Sequence, residues 1–306
     1  MAESGYPLVW VESPLQFVSA AELAAQRGVR LRVAFRLGSQ MSQTAAELMA
    51  RGAGFASCTP YFGIPWGELS RASEWIVGDG LSGQFRLAAA VLRPRAVTLL
   101  DDGTMSLRLA AALAGSQPFE RVEQHSSGMR ALLGGLTRDH LLRLAGTDRL
   151  EFFTMYGPQN PEFAAAAALG VRLRGHRFSW TRRTARPPRL PGDRVLLGTA
   201  RVADGLLDAE AHLAEVARIA AAPSFAATGA LATGALATGP IVYLPHRREP
   251  AAHVDAVRGI PGVTVVESGL PVELFLAGAE GLEILSVGST ADLTLDRVLA
   301  RRERAA

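Results

Sequence analysis

At 306 residues with 48% hydrophobic content, the chain is long enough for two domains, each burying its own core. Its 32 basic residues are all arginine and barely outnumber 29 acidic ones; they form no stripe and have no aromatics interleaved, which argues against nucleic acid as a partner. A lone Cys58 excludes an internal disulfide, and no apolar run approaches the roughly 18 to 20 residues that span a bilayer.

Met1 to Tyr6 lacks the basic-then-apolar pattern of a signal peptide, so the expected location is the cytoplasm. Any membrane contact is expected to be peripheral, at the inner membrane surface, with the arginine-rich stretch from Arg172 to Arg189 as its candidate.

Leu8 to Val11 is a short apolar run halted by Glu12-Ser13-Pro14, after which Leu15, Val18, Ala21 and Leu23 recur at helical spacing. Leu31 to Phe35 reads as a second strand, and Trp75-Ile76-Val77 as another that ends in the turn Gly78-Asp79-Gly80. Val97 to Leu100 is a buried strand running into Asp101-Asp102-Gly103, with helical periodicity resuming from Leu107 to Leu113. Periodicity then lapses between Arg172 and Asp193, where arginines and prolines gather as in an exposed linker.

Beyond that stretch the β/α order restarts, with strands at Arg194 to Gly198, Ile241 to Leu244, Val263 to Val266 and Ile284 to Val287. Helices are expected from Ala209 to Ala221, near Pro271 and from Ala291. Ala-Thr-Gly recurs at Ala227, Ala232 and Ala237 and reads as a small-residue surface insertion. The expected architecture is α/β and GT-B-like: two Rossmann-like domains, 1–185 and 190–306, facing a central cleft.

Four places carry candidate chemistry, and each has a plain structural alternative. Asp101 and Asp102 lie where a strand ends, the edge at which open parallel sheets bind ligands; they suit a general base or simply a turn. His246, Arg247 and Arg248 follow the Ile241 strand and suit a phosphate or a solvated turn. Gly288, Ser289 and Thr290 precede a helix and suit a phosphate cradle or a cap. Glu273, in the first turn of an apolar helix, suits a ribose or the helix dipole. No carboxylates or histidines stand at the spacing of a divalent-ion site, so no metal is expected.

In this order the residues resemble the bacterial sialyltransferase and polysialyltransferase families, with their acid-acid-Gly, His-Pro and Ser-Ser/Thr motifs on a GT-B fold. The similarity extends to Glu12-Ser13-Pro14-Leu15-Gln16, Val77-Gly78-Asp79, Phe152-Phe153-Thr154 and Leu197-Gly198. It departs at Arg247, where the family usually has proline, and in the shortness of the chain.

The resemblance implies transfer of a nonulosonic acid from a CMP-activated sugar to a glycan or glycolipid acceptor, with inversion and without a metal or other cofactor. Asp101 would be the general base, with Asp102 its neighbour, and His246 would contact or protonate the departing phosphate. Ser289 and Thr290 would hold that phosphate and Glu273 the ribose; Gly198, Arg247 and Gly288 would complete the donor side. A nucleotide-sugar epimerase of similar fold and a non-catalytic CMP-sugar-binding protein are the competing readings.

Overall fold

The computed structural model describes residues 6–38, 40–120, 128–222, 240–287 and 291–299. The chain divides into two compact units, Met1–Thr184 and Ala185–Ala306. The Ala-Thr-Gly repeat lies outside the described residues. No helix among the described residues is long and apolar enough to cross a membrane.

In the first unit, seven strands form one sheet: β1 (Leu8–Val11), β2 (Leu31–Arg36), β3 (Phe55–Tyr61), β4 (Trp75–Val77), β5 (Val97–Leu100), β6 (Leu150–Thr154) and β7 (Arg172–Gly175). Their order is β3-β2-β1-β4-β5-β6-β7 and every pairing is parallel. The intervening helices are α1 (Pro14–Arg27), α2 (Met41–Ala50), α3 (Trp66–Arg71), α4 (Gly83–Leu92), α5 (Thr104–Ala114), α6 (Met129–Ala145) and α7 (Pro161–Ala168), with α8 (Ser179–Arg183) closing the unit. Every residue of β1, β4, β5 and β6 is buried, as a parallel sheet covered on both faces requires. Strand order reverses between β1 and β4, which makes the gap between their carboxyl ends a topological switch point.

The first part of the stretch expected to be a linker is instead structured, with β7 joining this sheet and α8 following, while residues 184–193 form neither helix nor strand. Arg172 and Arg174 of β7 read as solvated charge, but both pair with the buried carboxylate of Glu151 on β6, at 3.5 and 2.9 Å. Glu22 on α1, itself buried, then accepts the backbone N–H groups of Trp180 and Thr181 and the Thr181 hydroxyl. A carboxylate at those N–H groups satisfies the amino end of α8 and fastens it to α1.

Glu151 belongs to a wider network. Arg27, at the last turn of α1, donates to Glu74 (2.9 Å), Thr98 (2.9 Å) and Glu151 (3.0 Å). Burial alone would raise the Glu151 pKa, but the hydrogen bonds and charges of Arg174 and Arg27 outweigh it and hold the carboxyl below its ordinary range. Removing Arg27 takes away the ion pair with Glu74 and one of the three arginines on Glu151, a loss of about 2 kcal/mol. Arg27→Met should therefore lower the unfolding free energy by about that much in urea melts at pH 7. A group with a depressed folded pKa stabilises above its unfolded value, about 4.3 for Glu, and loses that contribution as pH falls through the folded value. The gap between wild type and Arg27→Met should accordingly narrow in acid melts.

The second unit repeats the plan at smaller scale. Strands β8 (Arg194–Leu197), β9 (Ile241–Leu244), β10 (Val263–Val265) and β11 (Glu283–Ser286) pair in parallel in the order β10-β9-β8-β11. The helices are α9 (Ala209–Ala221), α10 (Ala251–Arg258), α11 (Val272–Phe275) and α12 (Ala291–Val298). Alternation along the strands sorts side chains onto two faces. Val195, Leu197, Val242 and Leu244 join Leu276 and Leu295 on one face, while Leu196, Ile241 and Tyr243 meet Val216 of α9 and Val257 of α10 on the other. Two Rossmann-like α/β units in succession are the fold class expected from the sequence.

Candidate active site

At the carboxyl edge of the first sheet, the loops after β1, β4 and β5 converge on the switch point. Ser13 caps α1 in a reciprocal box with Gln16, whose side chain also accepts the Glu12 N–H at 2.7 Å. A Cβ on Gly78 would collide with the Gln16 side chain, so the loop after β4 must be glycine here to lie against α1. The Ser13 hydroxyl then donates to Asp102 Oδ1 at 2.8 Å, joining the loop after β1 to the loop after β5. Gly103 takes φ +60° between that acid and α5.

The two candidate acids differ sharply in setting. Asp102 is half-buried, and its backbone N–H donates to the Ser106 hydroxyl at 2.8 Å. Asp101 is 1% exposed, with Oδ2 accepting the Met155 N–H and the Nε2–H of His176 at 2.9 Å. His176, which sequence reasoning did not single out, follows β7; its backbone N–H donates to Thr154 O and its ring stacks on Phe153 at 4.6 Å. Among the described residues, Asp101 Oδ1 and His176 Nδ1 have no hydrogen-bond partner. One carboxylate oxygen is thus pinned by two donors while the other keeps its lone pairs.

Beside this edge a cavity of about 440 Å³ is lined by Glu12, Arg36, Ser82, Arg86 and Arg130, among others. Its lining holds three arginines and one acid, of which Arg36 pairs with Glu12 at 3.4 Å and Arg86 donates to the Phe119 and Arg130 carbonyls.

In the second unit, His246 stands two residues past β9. Its backbone N–H donates to Glu249 Oε2 at 2.9 Å, and its Nδ1 accepts the Arg248 N–H at 3.2 Å. A backbone N–H can only donate, so the neutral ring carries its proton on Nε2. Burial, with Arg247 and Arg248 nearby, lowers the imidazole to about 4. At neutral pH the ring is therefore a hydrogen-bond donor and not a resident acid. Arg248, read from sequence as a phosphate ligand, is held by Asp204 through two bonds of 2.7 and 2.8 Å, while Arg247 is exposed.

Gly198, at the end of β8, donates its N–H to Leu244 O, and a Cβ there would lie 2.5 Å from both the His246 N and Glu249 Oε2. Its place in the site is that of a residue whose missing side chain admits the His246 loop. Glu273 is buried and accepts the Thr294 hydroxyl of α12 at 2.6 Å; burial raises its carboxyl above the ordinary range. Gly288, Ser289 and Thr290 lie outside the described residues.

The sequence shows no metal-ligand spacing, yet folding brings His212 of α9, Glu249 and His253 of α10 together, with one possible ligand atom from each within 4.8 Å of the others. Glu249 stands two residues before α10 and His253 in its first turn; His212 reaches them only through the packing of α9 against β9.

No family model matches the chain, and no curated protein is similar to it. Among solved structures, the E. coli heptosyltransferase WaaC, solved with ADP-2-deoxy-2-fluoro heptose, is similar at 17% identity and a TM-score of 0.42, over 96% of this chain and 86% of that one.

Proposed function

We propose that the chain is an inverting glycosyltransferase that moves sialic acid or a related nonulosonic acid from a CMP-sugar to a glycan hydroxyl. The observation that carries this reading is the setting of Asp101 at the carboxyl end of β5: one oxygen fixed by Met155 and His176, the other without a partner among the described residues. That second oxygen, Oδ1, is itself buried, so this carboxylate accepts the proton of an attacking hydroxyl only when the loops around it part to admit the acceptor. His246, with its proton on Nε2, is suited to donate a hydrogen bond to the phosphate oxygen on which charge develops as CMP departs. Attack and departure on opposite faces of the anomeric carbon give inversion. The resemblance of the acid-acid-Gly and histidine motifs names the CMP donor and the sialic-acid class; the cavity at the first sheet's edge is the proposed acceptor site.

Thermal melts with free nucleotides test the donor. CMP at about 100 times its Kd should stabilise the folded chain by about 2.7 kcal/mol, while UDP should leave the melting temperature unmoved. Protection by UDP and none by CMP would replace this reading with a UDP-sugar enzyme such as an epimerase. Protection by CMP without turnover of any CMP-sugar would leave a binding protein.

A further inference from the structure

On the face of the second sheet covered by α9 and α10, beside the His246 loop, two histidines meet in the core. His212 is fully buried and His253 is 7% exposed; His212 Nδ1 and His253 Nε2 face each other at 2.8 Å, with the rings inclined by 29°. Only one hydrogen fits between two facing ring nitrogens, so one donates and the other accepts. His212 Nε2 is buried with no hydrogen-bond partner among the described residues, which is costly for a polar atom. Glu249 completes the cluster, and its carboxylate is held from outside by the Tyr243 hydroxyl (2.6 Å) and the N–H groups of Thr199 (3.1 Å) and His246 (2.9 Å).

We infer that His212, Glu249 and His253 form a binding site for one divalent transition-metal ion of the zinc class. Two imidazoles and a carboxylate are a donor set that zinc accepts, and oriented outer partners of the Glu249 kind are what ligating groups require. Zinc lies about 2.0–2.1 Å from each imidazole nitrogen, which sets tetrahedral ligands about 3.3 Å apart. The facing nitrogens therefore need to part by only about half an ångström from 2.8 Å. On binding, the hydrogen shared between them passes to the far nitrogen of its own ring, which stays neutral, and both facing lone pairs go to the ion. Such an ion would join α9, α10 and the loop after β9, holding Glu249 and through it the backbone of His246.

The test uses tag-free full-length protein, stripped with a chelator and then equilibrated with zinc. Elemental analysis should find about one zinc per chain, and competition against a chromophoric chelator should give its affinity. Zinc should raise the melting temperature and EDTA should reverse the rise. His212→Gln and His253→Gln should each weaken zinc binding by at least about 100-fold, while His140→Gln, at a histidine bonded to Pro94 O in the other unit, should not. Should either variant fail to fold, the cobalt-loaded wild type decides: visible d–d absorption displaced by zinc supports the site. Less than about a tenth of an equivalent of zinc on the wild type, or variants that bind as tightly, would overturn it. Zinc is counted by elemental analysis and CMP binding is read from nucleotide protection, so this inference and the proposed function fail separately even though Glu249 holds the His246 backbone.

Discussion

Asp101→Asn should lower turnover by roughly 100-fold to 10,000-fold, the range for loss of a general base, while leaving CMP affinity nearly intact. The amide is nearly isosteric and can still present an oxygen to the Met155 N–H and the His176 Nε2–H, so the fold around it should survive. What it loses is the basicity of the oxygen that has no partner among the described residues. The pairing with Asp102→Asn makes the experiment decisive. Asp102 already accepts from Ser13, which ties two loops together, and its replacement should act mainly on the melting temperature. A large rate loss in Asp102→Asn with none in Asp101→Asn would reassign the base; no rate loss in either would make the acid pair structural and the mechanism wrong.

The second large effect is expected at His246. The sequence suggests a proton donor, for which glutamine is an inactive isostere. The Arg248 N–H on Nδ1 changes that expectation, because it leaves a neutral ring with one hydrogen to give, on Nε2. Glutamine places an amide donor near that atom. His246→Ala should lower kcat about 100-fold to 1,000-fold, as removal of one preorganised donor does. His246→Gln should recover most of that loss, and a donor substrate with a better leaving group should narrow the deficit of the alanine variant. Equal losses in both variants, measured as steady-state transfer with unchanged melting temperatures, would restore the proton-transfer role. Near-normal turnover in the alanine variant would make His246 a turn residue.

How much of this was legible beforehand depended on whether a signal was local. β1, α1, β9 and α9 follow from apolar runs and caps that need no tertiary context: Ser13 with Gln16, and Asp208 before α9. β3 was missed because Cys58-Thr59-Pro60 is polar and proline-broken, which an outermost strand with much of its length exposed tolerates. α6 was missed because Gly134 and Gly135 interrupt it and Met129, Leu132 and Leu136 face outward, blurring the stripe that marks a buried helix. β7 looked like linker because charge reads as solvent unless a distant Glu151 is known to wait for it.

In the candidate site the acids and His246 were visible as residues at strand ends, but not their partners. His176 reaches Asp101 across one intervening strand, β6, and nothing beside it in the chain marks it.

The fastening of α1 has a mechanical consequence. Its first turn is clamped through Ser13 to Asp102 and through Gln16 to the Glu12 backbone, its middle holds α8 through Glu22, and its last turn is bolted by Arg27 to residues on or beside β4, β5 and β6. A helix restrained at both ends and along its length behaves as a strut. A push on Ser13 at the ligand edge cannot be absorbed there by local bending and is delivered to Arg27 at the opposite end of the helix.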